Sequence, residues 1–186
     1  MPTERTDHRA RGSCSSALGT SFFTCSCEGR QHFLASCAAR EFLAAHLRSH
    51  AERHRIEVHA WVFMSNHVHL LLSAGDLPLR EWMTRWKRDA VHRLRRDCRD
   101  SIPAEAASGR FWLKGLGYDR AIWSWQEFNR KLAYCESNPV RAGLVVDAAE
   151  YRTSSAFDRL HAQRADFPVI APPPVGLVDL REGVRV

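Results

Sequence analysis

The pattern of hydrophobic and polar positions in the first half of the chain changes from the period of a strand to that of a helix. Residues 21–27 (SFFTCSC) predict a strand. Residues 40–53 predict an amphipathic helix, because Leu43, Leu47 and Ala51 recur at helical spacing among basic and His residues. A strand followed by a helix therefore begins the fold.

Two further strands are predicted directly after this helix. Residues 56–64 alternate with a period of two, which is typical of a strand with one buried face. The positions expected on that face are Ile56, Val58, Ala60, Val62 and Met64. The polar pair Ser65-Asn66 separates this strand from a second run, HVHLLLS (67–73). Because the break is so short, the two strands are expected to form an antiparallel hairpin.

A helix of about five turns is predicted over residues 79–97. Its apolar stripe consists of Leu79, Trp82, Met83, Trp86, Ala90 and Leu94. Its other face carries Arg80, Arg85, Lys87, Arg88, Arg95 and Arg96. One side of this helix should pack on the core, and the other should present positive charge to the solvent.

The second half of the chain predicts one more strand and one more helix. Residues 110–122 form an extended segment, and a helix begins at Trp125. It should end near Asn138, because Pro139 disfavours helical geometry in the residue before it. The resulting order of elements predicts an α+β fold, a ferredoxin-like antiparallel sheet with the helices packed on one face.

Composition and length limit the number of domains and the type of partner. The 186 residues suit one domain, with an irregular segment at 1–19, a catalytic domain at 20–164 and a Pro-containing tail at 165–186. The formal net charge of +6 favours polyanionic partners. No run approaches the ~18 apolar residues of a membrane span, and no signal peptide is visible. We therefore expect a cytoplasmic, nucleoid-associated protein without membrane contact.

The six cysteines are expected to remain thiols, because no export signal accompanies them. Cys25 and Cys27 could suggest a metal pair, but no second cysteine pair follows at zinc spacing. Two small residues on one face of a strand are the favoured interpretation.

The HVH triplet places two imidazoles on one side of a strand. His67 and His69 should lie about 6.5 to 7 Å apart along the strand, close enough to converge on one metal ion. Val68, Leu70 and Leu72 should face the core on the other side. Two half-buried histidines without a metal are the alternative, and the triplet alone does not decide between them.

The last predicted helix carries a tyrosine outside its apolar stripe. Trp125, Phe128, Leu132 and Cys135 form that stripe. Tyr134 lies on the other side, and Asn138 follows one turn later, so that the two side chains can reach a common point. An amide oxygen suits Mg²⁺ or Mn²⁺ when imidazoles complete the ligand set. A surface tyrosine and a helix-terminal asparagine are the alternative.

Four segments together resemble one protein family. In chain order they are HAWVFMSNHVHLLL (59–72), RFWLKGLGYDRAI (110–122), LAYCESNPVRAGLV (132–145) and YRTSSAF (151–157). They resemble the REP-associated tyrosine transposases, relatives of the insertion-sequence transposases that move single-stranded DNA. The combination of His-hydrophobe-His with Tyr-x-x-x-Asn-Pro-Val-x-Ala-Gly is more specific than either motif alone.

The resemblance implies a set of roles. His67 and His69 match the metal histidines, Tyr134 the nucleophile, and Asn138 the third protein ligand. It also implies an antiparallel α+β fold and hairpin-forming palindromes as substrates. Ser65 stands where the family usually has Pro, and residues 115–117 replace a more aromatic stretch.

These observations lead to a functional hypothesis. The chain is expected to be a single-strand DNA endonuclease and strand transferase that uses a divalent metal, Mg²⁺ or Mn²⁺, and a 5′-phosphotyrosine intermediate. It needs no nucleotide cofactor, since no P-loop is present. Both a monomer and a homodimer remain open. The residues expected to contact DNA are Arg80, Arg85, Lys87, Arg88, Lys114, Arg130, Lys131 and Arg141. Trp61, Phe63 and Trp112 could stack on bases or belong to the core.

Three alternatives stay open at this point. The chain could be a domesticated DNA hairpin-binding protein of the same fold that does not cleave. It could be a histidine-triad nucleotide hydrolase, although Leu71 stands where a third alternating histidine would be needed. Tyr118 could replace Tyr134 as the nucleophile, although no ligand residue follows it one turn later.

Overall fold

The computed structural model describes residues 19–161. The predicted tail at 165–186 and all but the last residue of the segment 1–19 lie outside these described residues. The strands are β1 (Thr20–Ser26), β2 (Glu57–Phe63), β3 (His67–Ser73) and β4 (Tyr118–Ile122). The helices are α1 (Cys37–Arg53), α2 (Leu79–Asp97), α3 (Ala104–Ser108), α4 (Trp125–Arg141) and α5 (Ser155–Leu160). No described helix is both long and apolar enough to span a membrane.

The four strands form one antiparallel sheet in the order β2-β3-β1-β4. The predicted hairpin is confirmed, because β2 pairs with β3. β1 lies between β3 and β4, so Thr24 stands opposite His69 and Ser26 opposite His67. The predicted α+β class with a ferredoxin-like antiparallel sheet is confirmed.

Helices cover both faces of the sheet. α1 and α2 pack on the face that carries Phe23, Cys25, Val68, Leu70 and Leu72, where their buried side chains include Leu47, Trp82 and Trp86. The sequence predicts that all the helices pack on one face, and for α4 this prediction is wrong. α4 adds a partial layer on the opposite face, where Phe128 and Cys135 pack on Phe22, Ala60 and Leu71. The second layer places the predicted nucleophile above the two histidines of β3.

β2 departs from its predicted alternation. A register shift between Val58 and Ala60 sends Val58, Trp61 and Phe63 to the α1–α2 side, and Ala60 and Val62 to the α4 side. The prediction of a single buried face is therefore wrong, because helices cover both sides of the strand. The bulge also changes which residues of β2 lie on the same face. Trp61, Phe63 and Trp112 are all buried, so they belong to the core and are not available for base stacking.

α4 continues past the proline that was expected to end it. Asn138 and Pro139 lie inside the helix, which ends at Arg141. Proline lacks the backbone N–H, so one helical hydrogen bond is lost, and here the loss falls in the last turn of α4. The Asn138 carbonyl still accepts from the Ala142 N–H, and the Pro139 carbonyl accepts from the Leu144 N–H. Asn138 therefore keeps helical geometry, one turn from Tyr134.

The cysteines of the described residues are free thiols, as predicted. Cys25 and Cys27 are buried side by side in the core under α1 and α2. Burial raises the pKa of Cys25 to about 11 and that of Cys27 to about 12, so both thiols stay protonated at neutral pH. They serve the fold as small apolar residues.

Candidate active site

The residues predicted for the metal and the nucleophile come together in one pocket of about 510 Å³. β1, β3 and α4 form most of its walls, and Tyr118 at the start of β4 closes one side. Its lining consists of Phe22, Thr24, Ser26, Arg30, His67, His69, Tyr118, Lys131, Tyr134 and Asn138. All four residues proposed for the metal and the nucleophile are in this set.

His67 and His69 lie on the same side of β3, and their ring centroids are 4.7 Å apart. Val68, Leu70 and Leu72 point into the core below α1 and α2, as the alternation predicted. The pleat of one short strand thus separates two polar rings from an apolar layer.

Hydrogen bonds fix the tautomer of each imidazole. His67 Nδ1 donates to Asn66 Oδ1 over 2.7 Å. Asn138 Nδ2 lies 3.2 Å from His69 Nε2, so this Nε2 accepts. The proton of His69 is then on Nδ1, which donates to Thr24 Oγ1 over 2.8 Å. Both rings consequently keep a lone pair on Nε2. Metal-binding histidines commonly show the same arrangement, in which Nδ1 donates to an oxygen atom and Nε2 is left to bind the metal.

Burial keeps both rings neutral. It lowers the pKa of His69 to about 3, with the neighbouring His67 and Lys131 adding to the effect. Burial also lowers the pKa of His67, while a hydrogen bond with the Asn138 side chain raises it. Neutral imidazoles are the form that a metal ion binds.

Tyr134 lies next to these rings. Its ring centroid is 5.3 Å from that of His69 and 5.9 Å from that of Phe22, in edge-to-face contacts. Asn138, one turn later on α4, contacts both histidines. The structure therefore brings the predicted tyrosine, amide and imidazoles together in the lining of one pocket.

Three cations surround the same pocket. Lys131 Nζ lies 5.8 Å from the centroid of the Tyr134 ring and 5.4 Å from that of Tyr118. The guanidinium carbon of Arg141 lies 5.0 Å from the Tyr134 centroid. Arg30 lines the pocket on the side of His67. These positive charges suit a phosphate group bound beside Tyr134.

Arg30 was missed by the sequence reasoning. It has a φ of 55°, which is uncommon for a residue with a side chain. Its carbonyl accepts from Asn66 Nδ2 over 3.2 Å, so the turn is tied to the residue that orients His67. The preceding Gly29 was the available signal, because a glycine after a strand marks a tight turn.

The predicted DNA-contacting residues do not form one surface. Lys131 lines the pocket and Arg141 adjoins it, but Arg130 is exposed on α4 outside the lining. On α2, Arg80 pairs with Asp119 and Arg85 with Glu81. Lys87 is buried and donates to the Gly115 carbonyl, so its prediction as a surface contact is wrong. Arg88 and Lys114 are exposed and line a second groove.

The pocket fits the divalent metal that the resemblance implies. The Nε2 lone pair of His69 faces Asn138, and a half-turn of the amide would present Oδ1 in place of Nδ2. Within residues 19–161 no three His, Cys, Asp or Glu side chains form a metal cluster, so the third protein ligand would be this amide oxygen. Two imidazoles and one amide oxygen suit Mg²⁺ or Mn²⁺.

Comparisons with known proteins identify a family and a fold. Residues 20–124, more than half of the chain, match the family model described as "Transposase IS200 like". A solved structure of a REP-associated tyrosine transposase bound to a REP hairpin shares the fold, with a TM-score of 0.65 and 20% sequence identity. That match covers 95% of this chain and 98% of the other. A search of curated proteins found no match.

Proposed function

Because this chain belongs to the IS200-like transposase family, we propose that it is a metal-dependent transesterase that cuts and rejoins hairpin-forming palindromic DNA in single-stranded form. The observation that carries the proposal is the shared pocket of Tyr134, His67, His69 and Asn138. The REP hairpin in the structure of similar fold supports a hairpin substrate.

The reaction starts with the oxygen of Tyr134. It attacks phosphorus in line, the bond from phosphorus to the 3′ oxygen breaks, and that oxygen takes up a proton to become a free 3′-hydroxyl. The phosphate then joins Tyr134 to the 5′ end of the downstream strand. Because the link keeps the energy of the phosphodiester, attack by another 3′-hydroxyl rejoins DNA without ATP.

The neighbouring side chains position the phosphate and stabilise charge. His67, His69 and Asn138 would hold the metal, which supplies Lewis-acid polarisation of the scissile phosphate when bound. Lys131 and Arg141 flank the Tyr134 ring, where they can contact the phosphate that this tyrosine attacks. Arg30, on the side of His67, neutralises the non-bridging oxygens.

The test is covalent capture on a denaturing gel. The purified protein is incubated with labelled single-stranded hairpins from palindromes flanking its gene, with Mg²⁺, with Mn²⁺ and with EDTA. We expect a metal-dependent adduct that disappears in Tyr134→Phe. Tyr118→Phe is the matched control, because Tyr118 lines the same pocket on a different element.

Two results would contradict parts of the proposal. An adduct that survives in Tyr134→Phe and is lost in Tyr118→Phe would transfer the nucleophile to β4. Salt-sensitive binding of the hairpin without an adduct under any metal condition would indicate the non-cleaving DNA-binding protein instead.

A further inference from the structure

Glu127, in the first turn of α4, carries a buried carboxylate. Its side chain is 10% exposed, and its Oε1 accepts from Nε of Arg120 over 2.9 Å. Arg120 lies on β4, the strand that immediately precedes α4, and its side chain is 53% exposed. A carboxylate that is removed from water to this extent needs a cation or hydrogen-bond donors beside it. Arg120 provides both to Glu127.

Glu127 shares one side of α4 with three residues that line the catalytic pocket. Lys131 follows it by four positions, Tyr134 by seven and Asn138 by eleven, and this spacing returns to the same side of a helix. With a rise of about 1.5 Å per residue, Tyr134 lies only about 10 Å along the helix axis from Glu127. The buried carboxylate therefore belongs to the helix face that carries the proposed chemistry.

Lys131 is the cation on this side of α4. Its Nζ lies 4.8 Å from the centroid of the Phe22 ring and 5.8 Å from that of the Tyr134 ring. In the part of the chain that the structure describes, Lys131 has no carboxylate partner, because Glu127, four positions earlier, pairs with Arg120 instead. The charge of Lys131 is therefore available to a phosphate in the pocket.

Glu127 and Lys131 are nevertheless placed for an ion pair of their own. A glutamate four residues before a lysine is the more favourable order of these charges on a helix. Burial lowers the pKa of Lys131, while Glu127 opposes this effect and Arg120 adds to it. Arg130, the other cation one turn after Glu127, is exposed and gains less from pairing. Arg120 and Lys131 thus compete for one carboxylate, which Arg120 holds.

We propose that Arg120 is a positioning residue that holds the Glu127 carboxylate away from Lys131 and so keeps the charge of Lys131 free for the scissile phosphate. This inference rests on the proposed function and adds to it a residue that acts on the site from outside the pocket lining. Without Arg120, the buried carboxylate turns to Lys131, the nearest cation on its own side of α4. The pocket then loses one positive charge although every residue that lines it is still present.

Two variants separate this role from a structural one. Arg120→Gln removes the cation and frees the carboxylate, whereas Arg120→Gln with Glu127→Gln removes both partners and leaves Lys131 unpaired. Glutamine at position 127 retains a side-chain acceptor for the start of the helix. The matched control is Arg152→Gln, alone and with Glu41→Gln, because this exposed ion pair lines neither the catalytic pocket nor the second groove.

The first measurement is the single-turnover rate of adduct formation with a saturating hairpin and Mn²⁺. We expect Arg120→Gln to lower this rate about 10-fold to 100-fold, because one charge beside the phosphate is neutralised. The double variant with Glu127→Gln should return to within about threefold of the wild-type rate, since the two substitutions act through one interaction. In a Lys131→Gln background, Arg120→Gln should lower the rate no further. Both control variants should react at the wild-type rate.

The second measurement requires no chemistry. The affinity for the hairpin is measured at several salt concentrations in the Tyr134→Phe background. Arg120→Gln should reduce the slope of log affinity against log salt by about 0.7, the contribution of one phosphate contact on a single strand. Addition of Glu127→Gln should restore the slope. Melting temperatures show whether each variant is folded, and Arg120→Met, with a side chain that is also long but uncharged, replaces Arg120→Gln if that variant unfolds.

The inference is overturned if the double variant reacts no faster than Arg120→Gln, which is the behaviour of an ion pair that only stabilises α4. It is equally overturned if the salt slope stays low in the double variant, because Arg120 would then contact phosphate itself. A wild-type rate in Arg120→Gln, as when the freed carboxylate pairs with Arg130, also excludes it.

These results leave the proposed function intact as long as the wild-type chain forms a metal-dependent adduct. If the wild type forms no adduct but the salt slope falls and is restored as expected, the proposed reaction is wrong and the role of Arg120 in keeping Lys131 free for phosphate stands. Absence of both the adduct and hairpin binding would remove both proposals.

Discussion

The imidazole of His67 donates through Nδ1 to the side-chain oxygen of Asn66, its neighbour in the chain, over 2.7 Å. The amide of the same Asn66 donates to the carbonyl of Arg30 over 3.2 Å. A single asparagine in the turn between β2 and β3 thus orients a proposed metal ligand and holds in place the turn that carries a proposed phosphate contact.

Removing this asparagine should weaken the metal site more than the fold. In Asn66→Ala we expect the affinity for Mn²⁺ to fall about 10-fold to 100-fold, the usual effect of losing such a supporting hydrogen bond. The free energy of unfolding should fall by only about 1 kcal/mol. Titration calorimetry with Mn²⁺ and thermal unfolding measure the two quantities. Asn129→Ala, at an exposed position on α4, is the control. Equal Mn²⁺ affinity in both variants would show that Asn66 does not orient a metal ligand.

Arg30 allows a test in which catalysis and stability change in opposite directions. Its φ of 55° is a conformation that glycine adopts more readily, so Arg30→Gly should leave the melting temperature unchanged or raise it. The rate of adduct formation should nevertheless fall about 10²-fold to 10³-fold, because one charged donor to the phosphate is lost. Arg55→Gly is the matched control, since Arg55 has a φ of 50° and lines neither pocket. If both glycine variants react at the wild-type rate, Arg30 has no part in the chemistry.

Lys87 and Arg85 lie two residues apart on α2, but their substitution should have different effects on stability. Lys87 is buried, and its Nζ donates to the Gly115 carbonyl over 2.6 Å. Lys87→Gln should therefore reduce the free energy of unfolding by about 1–3 kcal/mol and leave the salt dependence of hairpin binding unchanged. Arg85→Gln should change stability by less than about 0.5 kcal/mol, because its pair with Glu81 is exposed. Denaturant unfolding and binding at several salt concentrations distinguish the two. A smaller salt slope in Lys87→Gln would restore it as a phosphate contact.

Periodicity predicted most of the fold because the buried faces are continuous. The six apolar residues of α2 are all buried, and its bounds of 79–97 are those that the spacing predicted. The alternation of β3 correctly separated His67 and His69 from Leu70 and the core. Where a side chain sits on a helix or strand with one clear apolar side, its direction follows from the sequence.

The remaining features depend on contacts between distant segments. The bulge in β2 follows from its pairing with β3, and no residue of β2 predicts it. Lys87 lies on the polar side of α2 by periodicity, but the segment ending at Gly115 folds over it. The second groove, beside α2, brings together residues from two stretches of the chain that share no motif. Local pattern does not contain such information.

Acid should destabilise the protein through histidines that the fold keeps neutral. His59 is 2% exposed, and its Nε2 lies 2.7 Å from Ser73 Oγ. Burial lowers its pKa from 6.5 to about 4. As the pH falls, the unfolded chain therefore takes up a proton on this residue before the folded chain does. The contribution of His59 to the free energy of unfolding is fully present above pH 6.5. It declines as the pH falls towards 4, below which this residue causes no further loss.

The contribution of His59 can be separated from that of the other buried histidines by substitution. His59→Gln keeps a polar group for Ser73 but cannot take up a proton, so the slope of the free energy of unfolding against pH should become shallower by up to about 1.4 kcal/mol per pH unit between pH 4 and 6.5. Urea unfolding at a series of pH values, without metal and with an exposed-histidine control, His92→Gln, measures this slope. The carboxylate of Glu57 lies 3.9 Å from His59 Nε2 and is half-exposed, so it offers a protonated ring only a weakened partner. Parallel pH profiles for the wild type and His59→Gln would mean that the folded chain protonates His59 as readily as the unfolded chain does. The loss of stability in acid would then arise at other residues, such as His50, whose pKa is lowered by burial to about 4.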